Sequence, residues 1–158
     1  VLAEVADEAV TKLNAQIVFM PMQYPEDVKA AKKIVVKMKQ PACILKEDFT
    51  TRELMSLVGN MDLMIGIRLH ALIFAGVMGT PMIGISYDPK IDRFLKSIDE
   101  DVVGDLENVT VEALMQEINA KWNNKEIYRN QNLKRMAKLR SLARSNAEMA
   151  LEFIDKNK

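Results

Sequence analysis

Apolar positions recur along this chain at two alternating periods, and that alternation sets out the fold. Leu2, Val5, Ala6, Ala9, Val10 and Leu13 fall on one helical face, so the opening segment predicts an amphipathic helix. It carries no start signal, and the chain is expected to begin inside a helix, as a piece of a longer protein. "QIVFMPM" then predicts a strand, with turn chemistry at Pro21 and Pro25. Residues 26–39 return to helical spacing through Val28, Ala31, Ile34, Val35 and Met38, and "ACILK" predicts a short strand. Thr50 and Glu53 form a capping box, the start of a helix that ends near Gly59.

"MDLMIGI" predicts the next strand, followed by a helix from about Arg68 to Met78 and a strand over "PMIGISY". Asp88 is placed to cap a further helix, with Pro89 at its first position. "DVVGD" predicts a strand, Thr110 caps a helix to about Trp122, and residues 125–156 predict one long helix. On it Leu133, Met136, Leu139, Leu142, Ala143, Ala147, Ala150, Leu151 and Ile154 form a stripe.

The central strands are continuous apolar runs, as when both faces of a sheet are covered. Strands alternating with helices predict a three-layer, Rossmann-like α/β domain with a parallel sheet, in one domain over residues 1–158. The apolar run from Leu69 to Tyr87 is broken by Gly79-Thr80-Pro81, so neither half is long enough to span a bilayer.

Composition narrows the function. Lys+Arg and Asp+Glu both total 22, so no overall field draws the chain to nucleic acid. The charge is uneven: ten basic and four acidic residues lie from Lys121 onward. A basic terminal helix of this kind seeks an acidic surface, inside the protein or outside it. The one cysteine, Cys43, excludes an intrachain disulfide and a cysteine zinc cluster, and is expected to be a buried thiol. No segment has the make-up of a signal peptide, which points to the cytoplasm.

Ligands of such sheets sit beyond the carboxyl ends of the strands. The residues to inspect are therefore Gln23 and Tyr24, Lys46 and Glu47, Gly66 to His70, Ser86 to Lys90, and Asp105. Gly66, Ile67, Arg68, Leu69 and His70 occupy a strand-to-helix turn, where unbonded first-turn amides and the helix dipole favour an anion. Gly66 admits a ligand close to the backbone, Arg68 offers a planar fork for carboxylate or phosphate, and His70 can donate to the anion or move a proton. Equally, Gly66 can serve close packing, Arg68 can reach to solvent, and His70 can be a core histidine. In Ser86-Tyr87-Asp88-Pro89-Lys90, Asp88 reads first as a helix cap, and Lys90 opposes the helix dipole as a cation beside an anion would. Gln23, Tyr24 and Asp27 form a weaker group, with Asp27 complementing a helix dipole.

"GIRLHALIFAGVMGTPMIGISYDPKIDRFL" resembles the signature region of polysaccharide pyruvyl transferases, especially the bacterial CsaB type. "VFMPMQYPED" resembles an earlier segment of the family less specifically, and the similarity is read over essentially the whole chain. The resemblance implies the C-terminal domain of a two-domain enzyme of the GT-B type, with the active site in the cleft between the domains. It implies transfer of pyruvate from phosphoenolpyruvate to two hydroxyls of a sugar in a lipid-linked cell-wall precursor. The product is a pyruvyl ketal of the kind that anchors S-layer proteins. Arg68 and His70 would contact phosphoenolpyruvate and Lys90 would be needed for activity, with Gly66, Ile67, Leu69, Ser86, Tyr87, Asp88 and Gln23 as substrate-binding neighbours. No metal or other cofactor is implied.

The expected partners are phosphoenolpyruvate, the lipid-linked saccharide acceptor and an N-terminal domain of the same chain. The isolated domain is expected to bind donor weakly or undetectably and to be inactive. Two other readings stand beside this one. A GT-B glycosyltransferase or epimerase would hold a nucleotide sugar, with Asp92 or Glu100 on its ribose. A non-catalytic module would use Lys125, Arg129, Lys134, Arg135, Lys138, Arg140 and Arg144 against anionic lipid at the inner face of the plasma membrane. The bland alternative for that helix is packing on the other domain, and self-association into a homo-oligomer stays open.

Overall fold

The fold was analysed in a computed structural model, which describes residues 1–45 and 49–156. Its helices and strands alternate: α1 (Leu2–Leu13), β1 (Ile17–Phe19), α2 (Glu26–Val35), β2 (Ala42–Ile44), α3 (Thr51–Gly59), β3 (Met64–Gly66), α4 (Leu69–Met78), β4 (Met82–Ser86), α5 (Pro89–Ser97), β5 (Val102–Asp105), α6 (Val111–Asn123) and α7 (Lys125–Lys156). All strand pairs are parallel, as the apolar runs and βα alternation require. The fold is therefore the α/β, Rossmann-like class. The sheet, however, comes in two pieces: β2 pairs with β1, and β4 lies between β3 and β5.

β4 shows why its sequence has no polar alternation. All five of its residues are buried. Met82 joins a core with Val58 of α3, Leu72 and Ala75 of α4, Ile91 and Leu95 of α5, and Met136 of α7. Ile83 and Ile85 point to a second core, with Val5 of α1 and Leu114, Met115 and Ile118 of α6. The period of two thus feeds one core on each face, which is the expected three-layer arrangement. Each fully buried Leu or Ile contributes about 1.5–3 kcal/mol of transfer free energy.

α4 has no polar face because it is packed on α3, α5, α7, β3 and β4. It ends at Gly79, whose φ of 76° is left-handed and suits glycine. The buried Thr80 hydroxyl then donates to the Val58 carbonyl at 2.7 Å, fixing the turn into β4. No helix among the described residues is long and apolar enough to cross a membrane.

Several local expectations need correction. β1 is shorter than "QIVFMPM", because the amides of Met22 and Gln23 donate to the Asp27 carboxylate and turn the chain out of the strand. Cys43 is exposed, not buried: β2 is an outer strand, and the middle residue faces away from its half-buried neighbours Ala42 and Ile44. The apolar stripe of α7 is used only in its first part. Asn132 and Met136 are buried and Leu139 packs on the core, whereas residues 140–156 are exposed throughout. Leu142, Leu151 and Ile154 thus lie outside the packed interface.

A buried polar cluster fastens α6 and α7 to the sheet. The ammonium of Lys121, 3% exposed, donates to the Met82 carbonyl at 2.7 Å and to Glu100 at 2.6 Å. Arg135 donates to the other Glu100 oxygen at 2.7 Å. Met82 begins β4, so this cluster lies at the amino-terminal edge of the strands, opposite the candidate site.

Candidate functional site

The carboxyl ends of β1, β3 and β4 bring together Asp27, Arg68, Tyr87, Asp88 and Lys90. Arg68 is the residue before the first turn of α4 and is extended, with φ −92° and ψ 133°. Its carbonyl accepts from Leu72, so α4 starts there. The Arg68 side chain cannot accept a hydrogen bond, and α4 has no side-chain cap and no acidic residue in its first turn. The first-turn amides of Leu69, His70 and Ala71 therefore form the uncapped, partially positive end of a helix.

The guanidinium of Arg68 is held in place. Nη2 lies 2.7 Å and Nε 3.2 Å from Oδ1 of Asp27, the first turn of α2. The other face of that carboxylate takes the amides of Met22 and Gln23, both at 3.0 Å. Burial pushes the Asp27 carboxyl up, but the bonds from Arg68 and the two amides outweigh it and hold the carboxyl below its ordinary range. Arg68 is correspondingly raised, above all by its bond to Asp27. Nη1 is turned to the Tyr87 hydroxyl, at 3.5 Å.

Tyr87 meets two cations. The guanidinium of Arg68 is 5.9 Å and the ammonium of Lys90 is 5.6 Å from its ring centre. Lys90 also pairs with Asp88 at 3.2 Å, and that contact raises the lysine. Asp88 accepts from the Lys90 amide at 2.9 Å and so caps α5, as its position in the sequence predicts. The amide and the ammonium of Lys90 together lower the Asp88 carboxyl.

The predicted residues thus divide by role. Arg68, Tyr87, Asp88 and Lys90 form one linked cluster, and His70 stands exposed on the first turn of α4. The other members of the predicted set meet different demands. A Cβ on Gly66 would lie 2.6 Å from Cδ2 of Leu72, so close packing alone requires that glycine. Ile67 and Leu69 pack against the two cores and can offer a ligand only backbone. Ser86 donates to Asp92 at 2.5 Å, and Gln23 gives its amide to Asp27. Asp105 accepts from the amides of Glu107 and Asn108 and from the Asn108 side chain, a local turn. Lys46 and Glu47 lie outside the described residues.

Asp27 is the residue whose importance sequence reasoning underestimated. It reads as a complement to a helix dipole, yet its main partner is Arg68, 41 positions away. The available signal was topological: each residue stands at a strand-to-helix junction, Asp27 after β1 and Arg68 after β3.

The two residues nominated to hold a nucleotide ribose are occupied. Asp92 receives the Ser86 hydroxyl, and Glu100 is buried between Lys121 and Arg135 at the opposite edge. The basic helix is also partly committed, since Lys125 pairs with Asp62, Arg129 reaches the Met61 carbonyl and Arg135 pairs with Glu100. Among the described residues no group of three His, Cys, Asp or Glu side chains is placed to hold a metal ion.

No curated protein and no solved structure matches the chain. A family model described as polysaccharide pyruvyl transferase matches residues 2–89, which takes in β1 to β4 and the residues from Gly66 to Asp88. The match is narrower than the whole-chain similarity expected, and it stops one residue before Lys90. It covers more than half of the 158 residues, and the chain belongs to the polysaccharide pyruvyl transferase family.

Proposed function

We propose that this chain supplies one wall of a cleft in which phosphoenolpyruvate donates its pyruvyl group to two hydroxyls of a cell-wall saccharide carried on a lipid. The reading rests chiefly on one observation. An uncapped helix start carries Arg68 and His70, and a second cation, Lys90, meets the same Tyr87 ring as Arg68. Phosphoenolpyruvate brings a carboxylate and a phosphate on three carbons, which calls for two separate cationic contacts and free amides.

The chemistry follows from that charge distribution. A proton from His70 to the donor methylene leaves an oxocarbenium-like carbon. One sugar hydroxyl attacks that carbon, phosphate departs with its electron pair, and the second hydroxyl closes the ketal. The two hydroxyl protons pass to phosphate and to the base form of His70. Arg68, fixed by Asp27, holds an anionic group in register, and Lys90 offsets the charge gathering on the leaving phosphate. A complementary domain of the same protein furnishes the other wall. The reaction takes place on the cytoplasmic side of the membrane, where the donor is made.

Calorimetry on the full-length protein tests the donor assignment. Phosphoenolpyruvate should bind, and replacement of Arg68 by alanine should weaken it at least tenfold. Binding of a uridine-diphosphate sugar without binding of phosphoenolpyruvate would overturn the reading in favour of a glycosyltransferase.

A further inference from the structure

β1 and β3 are not hydrogen-bonded to each other, and between them runs an open groove of about 620 Å³. Ala6 and Ala9 of α1 and Ile118 and Trp122 of α6 line it, together with Val18 and Ile65 on the two strands. Polar groups gather at the carboxyl end, where Asp27 and Arg68 meet. The backbone facing this groove is not apolar. Phe19 gives its carbonyl to Leu45 on the β2 side, and Met64 gives its amide to Pro81 on the β4 side. Residues of a parallel strand alternate in the edge they serve, so Val18 and Ile65 turn their amides and carbonyls into the groove. A lining of apolar side chains with two rows of peptide groups is the environment of a central strand, not of a small ligand.

We propose that this groove seats a sixth strand, parallel to β1 and β3, formed by an extended apolar segment joined to the amino-terminal end of α1. The direction of α1 argues for this occupant. α1 leads through residues 14–16 into β1, so its far end lies at the carboxyl edge of the sheet, where a parallel strand would finish. Strand, α1 and β1 then make one crossover unit with its helix packed over the groove, as parallel neighbours require. With that strand first in sequence, the spatial order becomes 3-2-1-4-5-6, the doubly wound arrangement with its ligand crevice between the first and fourth strands. The Asp27–Arg68 pair spans the carboxyl end of that crevice. This inference does not depend on the choice of donor.

Hydrogen exchange on extended chains tests it. One version carries about five apolar β-branched residues and a turn of about three before Val1, and the control carries polar residues of equal number. The apolar extension should slow exchange at the Val18 and Ile65 amides at least tenfold, and the control should not. Equal effects of the two extensions would overturn the proposal. Oxidation of a Val18→Cys, Ile65→Cys double variant of the unextended chain, in a Cys43→Ala background, gives an independent reading. A disulfide needs Cα atoms within about 6.8 Å, so the thiols should stay reduced. Ready bridging would show that the two edges close on each other, and the proposal would fail.

Discussion

Single side chains decide how the cluster is held. Asp27 joins Arg68 to two loop amides, and its carboxyl is held below the ordinary value. Its contribution to stability is therefore present above the ordinary aspartate pKa and is lost as pH falls through the lower folded value. Asp27→Asn should cost about 1 kcal/mol at neutral pH, because both partners are partly exposed to solvent. The gap from the parent should narrow below about pH 4, as chemical denaturation across pH will show. Gly66→Ala should destabilise by about 1–3 kcal/mol, since the new methyl would sit 2.6 Å from Leu72. If Gly66 served only a ligand, the same substitution would leave the denaturation midpoint unchanged. Glu100→Gln removes the nearer counter-charge of buried Lys121, leaving it only Glu117 at 4.0 Å, and should cost about 3 kcal/mol in the same assay, whereas a surface pair would lose almost nothing.

Among the elements, α7 shows both the reach and the limit of sequence periodicity. Its stripe continues past Leu142 with no change of spacing, so pattern alone extends the packed face to Ile154. Among the described residues the core takes Met136 and Leu139 of α7, whereas residues 140–156 are exposed. Removal of residues 141–158 should shift the melting temperature by no more than about 2 °C, while Met136→Ala should cost about 2–3 kcal/mol. The helix starts at Thr50, Asp88 and Thr110 were legible because each cap satisfies a local amide. Element order and parallel pairing were legible for the same reason: continuous apolar runs and alternating periods report local burial. The exposure of Cys43 was not, because it depends on where β2 falls in the sheet.

At the scale of the whole molecule, the site is a product of topology. Asp27, Arg68 and Tyr87 follow β1, β3 and β4, three strands in parallel pairings, and the strand-to-helix order of the chain brings their junctions together. Sequence reading singles out Arg68, His70 and Lys90 because each stands near a helix start, where charge has a calculable cost or gain. It ranked Asp27 low because a long-range ion pair leaves no trace in local spacing. The most direct test of the account is the rate of pyruvyl transfer from phosphoenolpyruvate by the full-length enzyme carrying His70→Gln or Arg68→Ala. The account predicts that His70→Gln lowers kcat at least about 100-fold with little change in KM. It predicts that Arg68→Ala raises the KM for phosphoenolpyruvate at least tenfold. Normal turnover and normal KM in both variants would contradict it.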